Sequence, residues 1–201
     1  YFGLGVVKAA FPEAKILTTP AILKHINETV DVKLTTWGKQ MGDLVPKTAT
    51  LPEAYAGNVL MLEGKRINIK HGVGEKKAET YVYIPSIQTV AGGVLVFGHL
   101  HLWTADSHTL KARQDWVKSL KAIAALKPKT VIPGHFQQDA SQSLASVRYS
   151  QNYLTVFEKE LKSSKDSAAL IQSMTKKYPN AGLGVALDIG AKVNKGEMQW
   201  H

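Results

Sequence analysis

The sequence predicts a layered α/β domain, and two features carry that prediction. Short β-branched and aromatic runs alternate with amphipathic helical stripes along the 201 residues, which argues for a sheet packed on helices and against a bundle. One run, residues 89–97, is apolar almost throughout, as suits a strand covered on both faces. It leads into Gly98, His99, His101, Trp103 and Asp106, so a buried scaffold opens into a loop of chemically able side chains.

At the amino-terminal end, Phe2, Val6, Ala9 and Ala10 keep helical spacing from the first residues onward, and Pro12 closes that helix. Residues 14–18 read as a short buried strand. Thr19 then supplies an N-cap and Pro20 a first helical residue whose missing N–H costs nothing. The helix they open carries Ile22, Ile26, Val30, Leu34 and Trp37 on one stripe, with Gly38 or Gly42 to end it. Pro46 and Pro52 mark residues 43–56 as a loop. Residues 58–62 and 66–70 read as a hairpin with Ile67 and Ile69 inward. The glycine-bearing turn after it, with Glu75, Lys76, Lys77 and Glu79, is predicted to be solvated. Residues 81–84 form a strand stopped by Pro85, because proline cannot donate to a ladder.

Beyond the apolar run, Asp106 or Ser107 is predicted to cap a helix bearing Trp116, Val117, Leu120 and Ile123, with Pro128 as its stop. Residues 129–132 form another strand, turned by Pro133-Gly134 into His135. Helical stripes over 149–161, 167–178 and 181–193 finish the chain. No composition shift marks a boundary, so a single domain over residues 1–201 is predicted.

Composition narrows the function classes. Net charge is +9, but the lysines are scattered and not interleaved with stacking aromatics, so no nucleic-acid partner is expected. No apolar run approaches the roughly 18 residues of a membrane span. Cysteine is absent, so disulfides, thiolate ligands and a cysteine nucleophile are excluded and any metal must be held by His, Asp or Glu.

His135 is the leading candidate, fixed at the end of a strand and a Pro-Gly turn; its position suits a metal ligand and a turn-capping histidine equally. Of His99 and His101, the second is preferred because Trp103 and Asp106 stand beside it. His25, His71, His108 and His201 read as ordinary helix, surface or terminal residues. A zinc centre needs three or four ligands, and spacing alone does not supply that set.

Residues 81–85 (YVYIP), the strand at 90–97, then His101, Trp103 and Asp106, then residues 127–135 (KPKTVIPGH) together resemble the carboxy-terminal two thirds of a metallo-β-lactamase superfamily protein. The opening FGLGVVKAAFPEAKILTTPAI resembles the segment just after that family's first metal motif, H-x-H-x-D-H, and the closing DIGAKVNKGEMQW is similar to the tail of a bacterial branch. The resemblance implies an αββα sandwich, amino-terminally incomplete, with the first metal motif and some strands lying ahead of Tyr1. It implies a zinc-dependent hydrolase, since zinc activates water and polarises a carbonyl. Carried over residue by residue, the last metal histidine is His135, the middle one falls on Glu75, and the bridging aspartate falls on Val94. Valine cannot bind a metal, so the site is expected to be atypical or to hold a single zinc ion. His135 and Glu75 are then the ligands of this chain, and His101, Trp103 and Asp106 the pocket wall.

The resemblance further implies a small ester, amide or lactam-like substrate. It also implies a soluble bacterial protein of the cytoplasm or periplasm, and either pairing with an amino-terminal segment or a homo-oligomer. The alternative is a non-catalytic member of the fold that binds a small ligand or partner.

Overall fold

A computed structural model describes residues 2–200; His201 lies outside them. The described chain forms two compact units, one up to Gly57 and one over Asn58–Trp200.

The first unit holds helix α1 (Leu4–Ala10), strand β1 (Leu17–Thr18), the long helix α2 (Pro20–Met41) and strand β2 (Glu53–Ala54), which pairs in parallel with β1. Thr19 and Pro20 open α2 as the sequence predicts, although the Thr19 hydroxyl caps no N–H. The predicted strand at 14–18 shrinks to two residues, neither buried, because β2 offers only two partners.

The second unit is built on a five-stranded sheet in the order β3-β4-β5-β6-β8: β3 (Val59–Leu62), β4 (Lys65–His71), β5 (Thr80–Ile84), β6 (Thr89–Ala91) and β8 (Thr130–Ile132). The first four strands run antiparallel to their neighbours, and β8 lies parallel to β6. Register places Tyr83, Val90 and Val131 side by side on one face and Val82, Ala91 and Ile132 on the other, so both faces are apolar, the pattern of a sheet in a layered α/β protein. The first face meets Trp116, Leu120 and Ile123 of α3 (Leu110–Ala125) and Val147, Leu154 and Phe157 of α4 (Leu144–Ser163). Helices α5 (Ser167–Lys177) and α6 (Gly184–Asn194) close the same core with Leu170, Met174 and Leu187.

Two local predictions are corrected. Residues 89–97 are not one strand: Gly92 and Gly93 take φ of +80° and +73°, a region open to glycine and costly for other residues. The chain therefore leaves the main sheet after Ala91 and forms β7 (Phe97–Gly98), which pairs in parallel with β9 (His135–Phe136). Helix α3 is capped neither by Asp106 nor by Ser107. Residues Ala105–Ser107 form a 3-10 turn, and the Thr109 hydroxyl accepts from the Ala112 N–H at 2.9 Å.

Candidate functional site

The break after β6 makes the site. With β7 paired to β9, Phe97 stands opposite His135 in register, and their rings stack at 5.0 Å and 30°. Strand β7 is pinned from behind, where the Ser150 hydroxyl of α4 accepts from the Phe97 N–H at 2.9 Å. Trp116 of α3 donates its indole N–H to the Leu95 carbonyl at 2.8 Å. These bonds hold a cavity of about 110 Å³, lined among others by Lys76, Glu79, Val94, Trp103, Asp106 and His135. The His135 ring keeps a face to solvent, yet the protein packed on its other side pushes its pKa below the usual histidine value.

The structure thus brings Trp103, Asp106 and His135 to one cavity. Trp200 covers two of them: its ring meets that of Trp103 at 5.1 Å, and its indole N–H donates to Asp106 Oδ1 at 2.8 Å. Val94, 43% exposed, takes its place in the wall with no polar atom to offer.

Two of the sequence-derived candidates are placed elsewhere. Glu75 does not line the cavity; its carboxylate accepts from the Thr109 hydroxyl at 3.0 Å, and its N–H donates to Asp115 Oδ2 at 3.2 Å. His101 is 3% exposed inside the core, its Nδ1 2.9 Å from the Tyr153 hydroxyl and the two rings packed edge to face. On an unbroken strand His99 and His101 would share a face, but His99 takes φ +54° and the two diverge. His99 turns to a second concavity of about 290 Å³, where Nδ1 lies 3.2 Å from Asp139 Oδ2 and Tyr149 and Tyr178 form the walls.

Burial also lowers the pKa of His101, and stability then depends on pH. A histidine whose folded pKa lies below its unfolded value of about 6.5 takes up its proton more readily in the unfolded chain. Its stabilisation is complete above pH 6.5 and declines as pH falls from there toward the folded pKa. Urea unfolding of the wild type and of His101→Gln at pH 7.5 and pH 5.5 is expected to show a larger acid loss in the wild type. Equal losses would mean that His101 does not titrate with unfolding.

Sequence reasoning missed Lys76, Glu79, Trp116 and Trp200. The run Gly74-Glu75-Lys76-Lys77 looks like a solvated turn, yet Lys76 is only 7% exposed. It is drawn inward because α3 holds the turn: Ser119 Oγ accepts from the Val73 N–H at 2.8 Å, and Asp115 accepts from Glu75 as above. Hydrogen bonds from Lys111 and then Lys118 keep the Asp115 carboxyl far below the usual carboxylate range. The Lys76 ammonium lies 5.2 Å from the Trp116 ring centre, and its pKa is lowered chiefly by burial.

A metal fits these residues poorly. Among the described residues no three His, Asp or Glu side chains come together to hold an ion, and the cavity wall offers a single imidazole. One carboxylate there is bonded to Trp200 and another lies beside the Lys76 ammonium. The described residues do not by themselves make a zinc centre.

No family model matches the chain, and no curated protein matches it in sequence. Solved structures do match. A metallo-β-lactamase from Pontibacter korlensis aligns with a TM-score of 0.52 and 17% identity over 76% of this chain and 62% of its own. A β-lactamase domain protein from Burkholderia ambifaria gives 0.55 and 12% over 90% and 57%. An archaeal metallo-β-lactamase superfamily protein from Sulfolobus tokodaii gives 0.53 and 16% over 96% and 75%. The chain spans less than two thirds of the first two proteins. Among the described residues no helix is long and apolar enough to cross a membrane. The likeness of these three structures shows the fold of this chain to be the metallo-β-lactamase fold.

Proposed function

We propose that this chain is part of a hydrolase of the metallo-β-lactamase superfamily acting on a small ester, amide or lactam-like molecule, with the cavity beside His135 as its substrate site. The observation that carries the reading is the pairing of β7 with β9, which stands His135 opposite Phe97 on the wall of a cavity that Trp103 also lines. The apolar walls suit the body of a small acyl compound, and a few polar groups set its orientation. His135 holds its ring nitrogens ready: a lowered pKa keeps the imidazole neutral near pH 7, with a lone pair to accept a proton or to bind an ion. A zinc ion would need its further ligands from outside the described residues, from an upstream segment or a second copy of the chain.

A panel of neutral esters, lactones and β-lactams tests this. Hydrolysis is expected, and His135→Ala is expected to lower it by roughly 100-fold or more. Activity that survives both chelation and His135→Ala would discard the mechanism.

A second reading has its own support. Val94 contributes no donor to the wall, and no three-ligand group is present among the described residues, which suits a site that binds a small molecule without transforming it. Saturable binding of the same panel with no turnover in the presence of zinc would select that reading.

A further inference from the structure

The Lys76 ammonium is the least satisfied charge in the cavity. A lysine head carries three N–H donors and no acceptor, and a buried charge demands partners for them. Among the described residues its Nζ makes one hydrogen bond, to the Asp106 carbonyl at the long distance of 3.5 Å, and one ion contact, to Glu79 Oε1 at 3.9 Å. The third neighbour is the face of Trp116. Asp106, Glu79, Trp116 and Lys76 itself all line the same cavity, so the donor capacity that remains is spent beside that space. The side chain is more than nine-tenths buried, and the 3-10 turn that carries it is tied to α3 through the Val73 and Glu75 N–H groups, which fixes the backbone from which it reaches the cavity.

Charge decides which oxygen suits it. One ammonium shares the cavity wall with two carboxylates, Glu79 and Asp106. A ligand carrying its own negative charge would meet two like charges for one opposite, whereas a neutral carbonyl oxygen takes the ammonium hydrogen bond without that repulsion. We propose that Lys76 recognises the carbonyl oxygen of an uncharged ester, amide or lactone, and that Glu79 and Asp106 turn away the corresponding carboxylates. This rests on the substrate site assigned above and names its selectivity: the site takes the neutral substrate and releases the acid that hydrolysis produces.

The probes are γ-butyrolactone and its ring-opened form, 4-hydroxybutyrate, which differ by one water and one charge. Protein labelled with ¹³C-lysine reports on the Lys76 ε-methylene by NMR as each is added. The lactone is expected to shift the Lys76 signal saturably, and 4-hydroxybutyrate is expected to leave it in place. Lys76→Met, tracked through the His135 ring signals, is expected to weaken lactone binding by about tenfold, the worth of one charged hydrogen bond. Glu79→Gln leaves Lys76 intact and is expected to admit 4-hydroxybutyrate. Three results would each overturn the proposal: a Lys76 signal unmoved by the lactone, lactone binding unchanged in Lys76→Met, or tighter wild-type binding of 4-hydroxybutyrate than of the lactone. Turnover is read separately. Binding through Lys76 without hydrolysis would remove the hydrolase reading and leave this one standing; hydrolysis indifferent to Lys76→Met would do the reverse.

Discussion

Replacing Arg113 by methionine is expected to cost about 3 kcal/mol of unfolding free energy, near the lower end of the range for breaking a buried ion pair. Arg113 is 5% exposed on α3, yet it serves three other elements. Its Nε donates to Glu158 Oε2 of α4 at 2.8 Å, and its Nη1 donates both to the Ser107 carbonyl at 3.0 Å and to Asn194 Oδ1 of α6 at 2.5 Å. Methionine fills most of the volume, so the loss is one of hydrogen bonds and charge and not of packing. The cost sits at the lower end because Glu158 is partly exposed and has a second cation, Lys162, at 3.6 Å. Lysine at 113 has a single charged nitrogen and cannot span three acceptors in different directions, so Arg113→Lys is expected to recover less than half. Glu158→Gln placed on Arg113→Met is expected to restore part of the stability, since it removes the carboxylate left without its arginine. Urea midpoints at constant m-value measure all three variants. A loss under about 1 kcal/mol in Arg113→Met would put this contact among ordinary surface ion pairs. The Ala105–Ser107 turn hangs on the same network, and it carries Asp106 into the cavity.

That network illustrates what the sequence could and could not disclose. The long helices were legible because each repeats an apolar stripe against one core, and the periodicity of Trp116, Leu120 and Ile123 does not depend on which neighbour covers it. His135 was legible as a candidate because its placement is local, a strand continued at once by Pro133-Gly134. Lys76 was not, because its burial is decided by Ser119 and Asp115, which bond the turn from 46 and 40 residues away, while its immediate neighbours look like a solvated turn. His101 is the converse case. Its neighbours Trp103 and Asp106 do reach the cavity, but Tyr153, fifty-two residues on, draws the imidazole into the core. The two-strand split of residues 89–97 was hidden by composition, since apolar residues serve either sheet alike; only Gly92-Gly93 marks it.

Those glycines set the second large effect, and three alanine substitutions separate its causes. Gly92 takes φ +80° with open space where a Cβ would stand, so Gly92→Ala is expected to cost only the left-handed backbone, about 1 kcal/mol. Gly93 takes φ +73°, and its Cβ would also run into the Thr80 carbonyl of β5. Gly93→Ala is therefore expected to cost that strain plus overpacking of about 1–3 kcal/mol. Gly134 has no such φ, but its Cβ would strike the Gly93 carbonyl, so Gly134→Ala isolates the overpacking. Neither backbone can yield cheaply: the Gly134 N–H is bonded to the Val96 carbonyl at 3.2 Å, and Gly93 lies against a strand of the main sheet. The two sites share one contact, so the double variant Gly93→Ala/Gly134→Ala is expected to cost less than the sum of the singles. Sequence neighbours carry the effect to the site. Gly134 precedes His135 and Gly93 precedes Val94, and both of those residues line the cavity. Relief of the clash at 134 has to part that residue from Gly93, and relief of the clash at 93 has to move that residue off Thr80 and against Gly134, so the His135 ring signals are expected to shift in Gly93→Ala and Gly134→Ala but not in Gly92→Ala. Equal destabilisation by Gly92→Ala and Gly93→Ala, with His135 unmoved in all three, would show that the close approach of these backbones does not position the site.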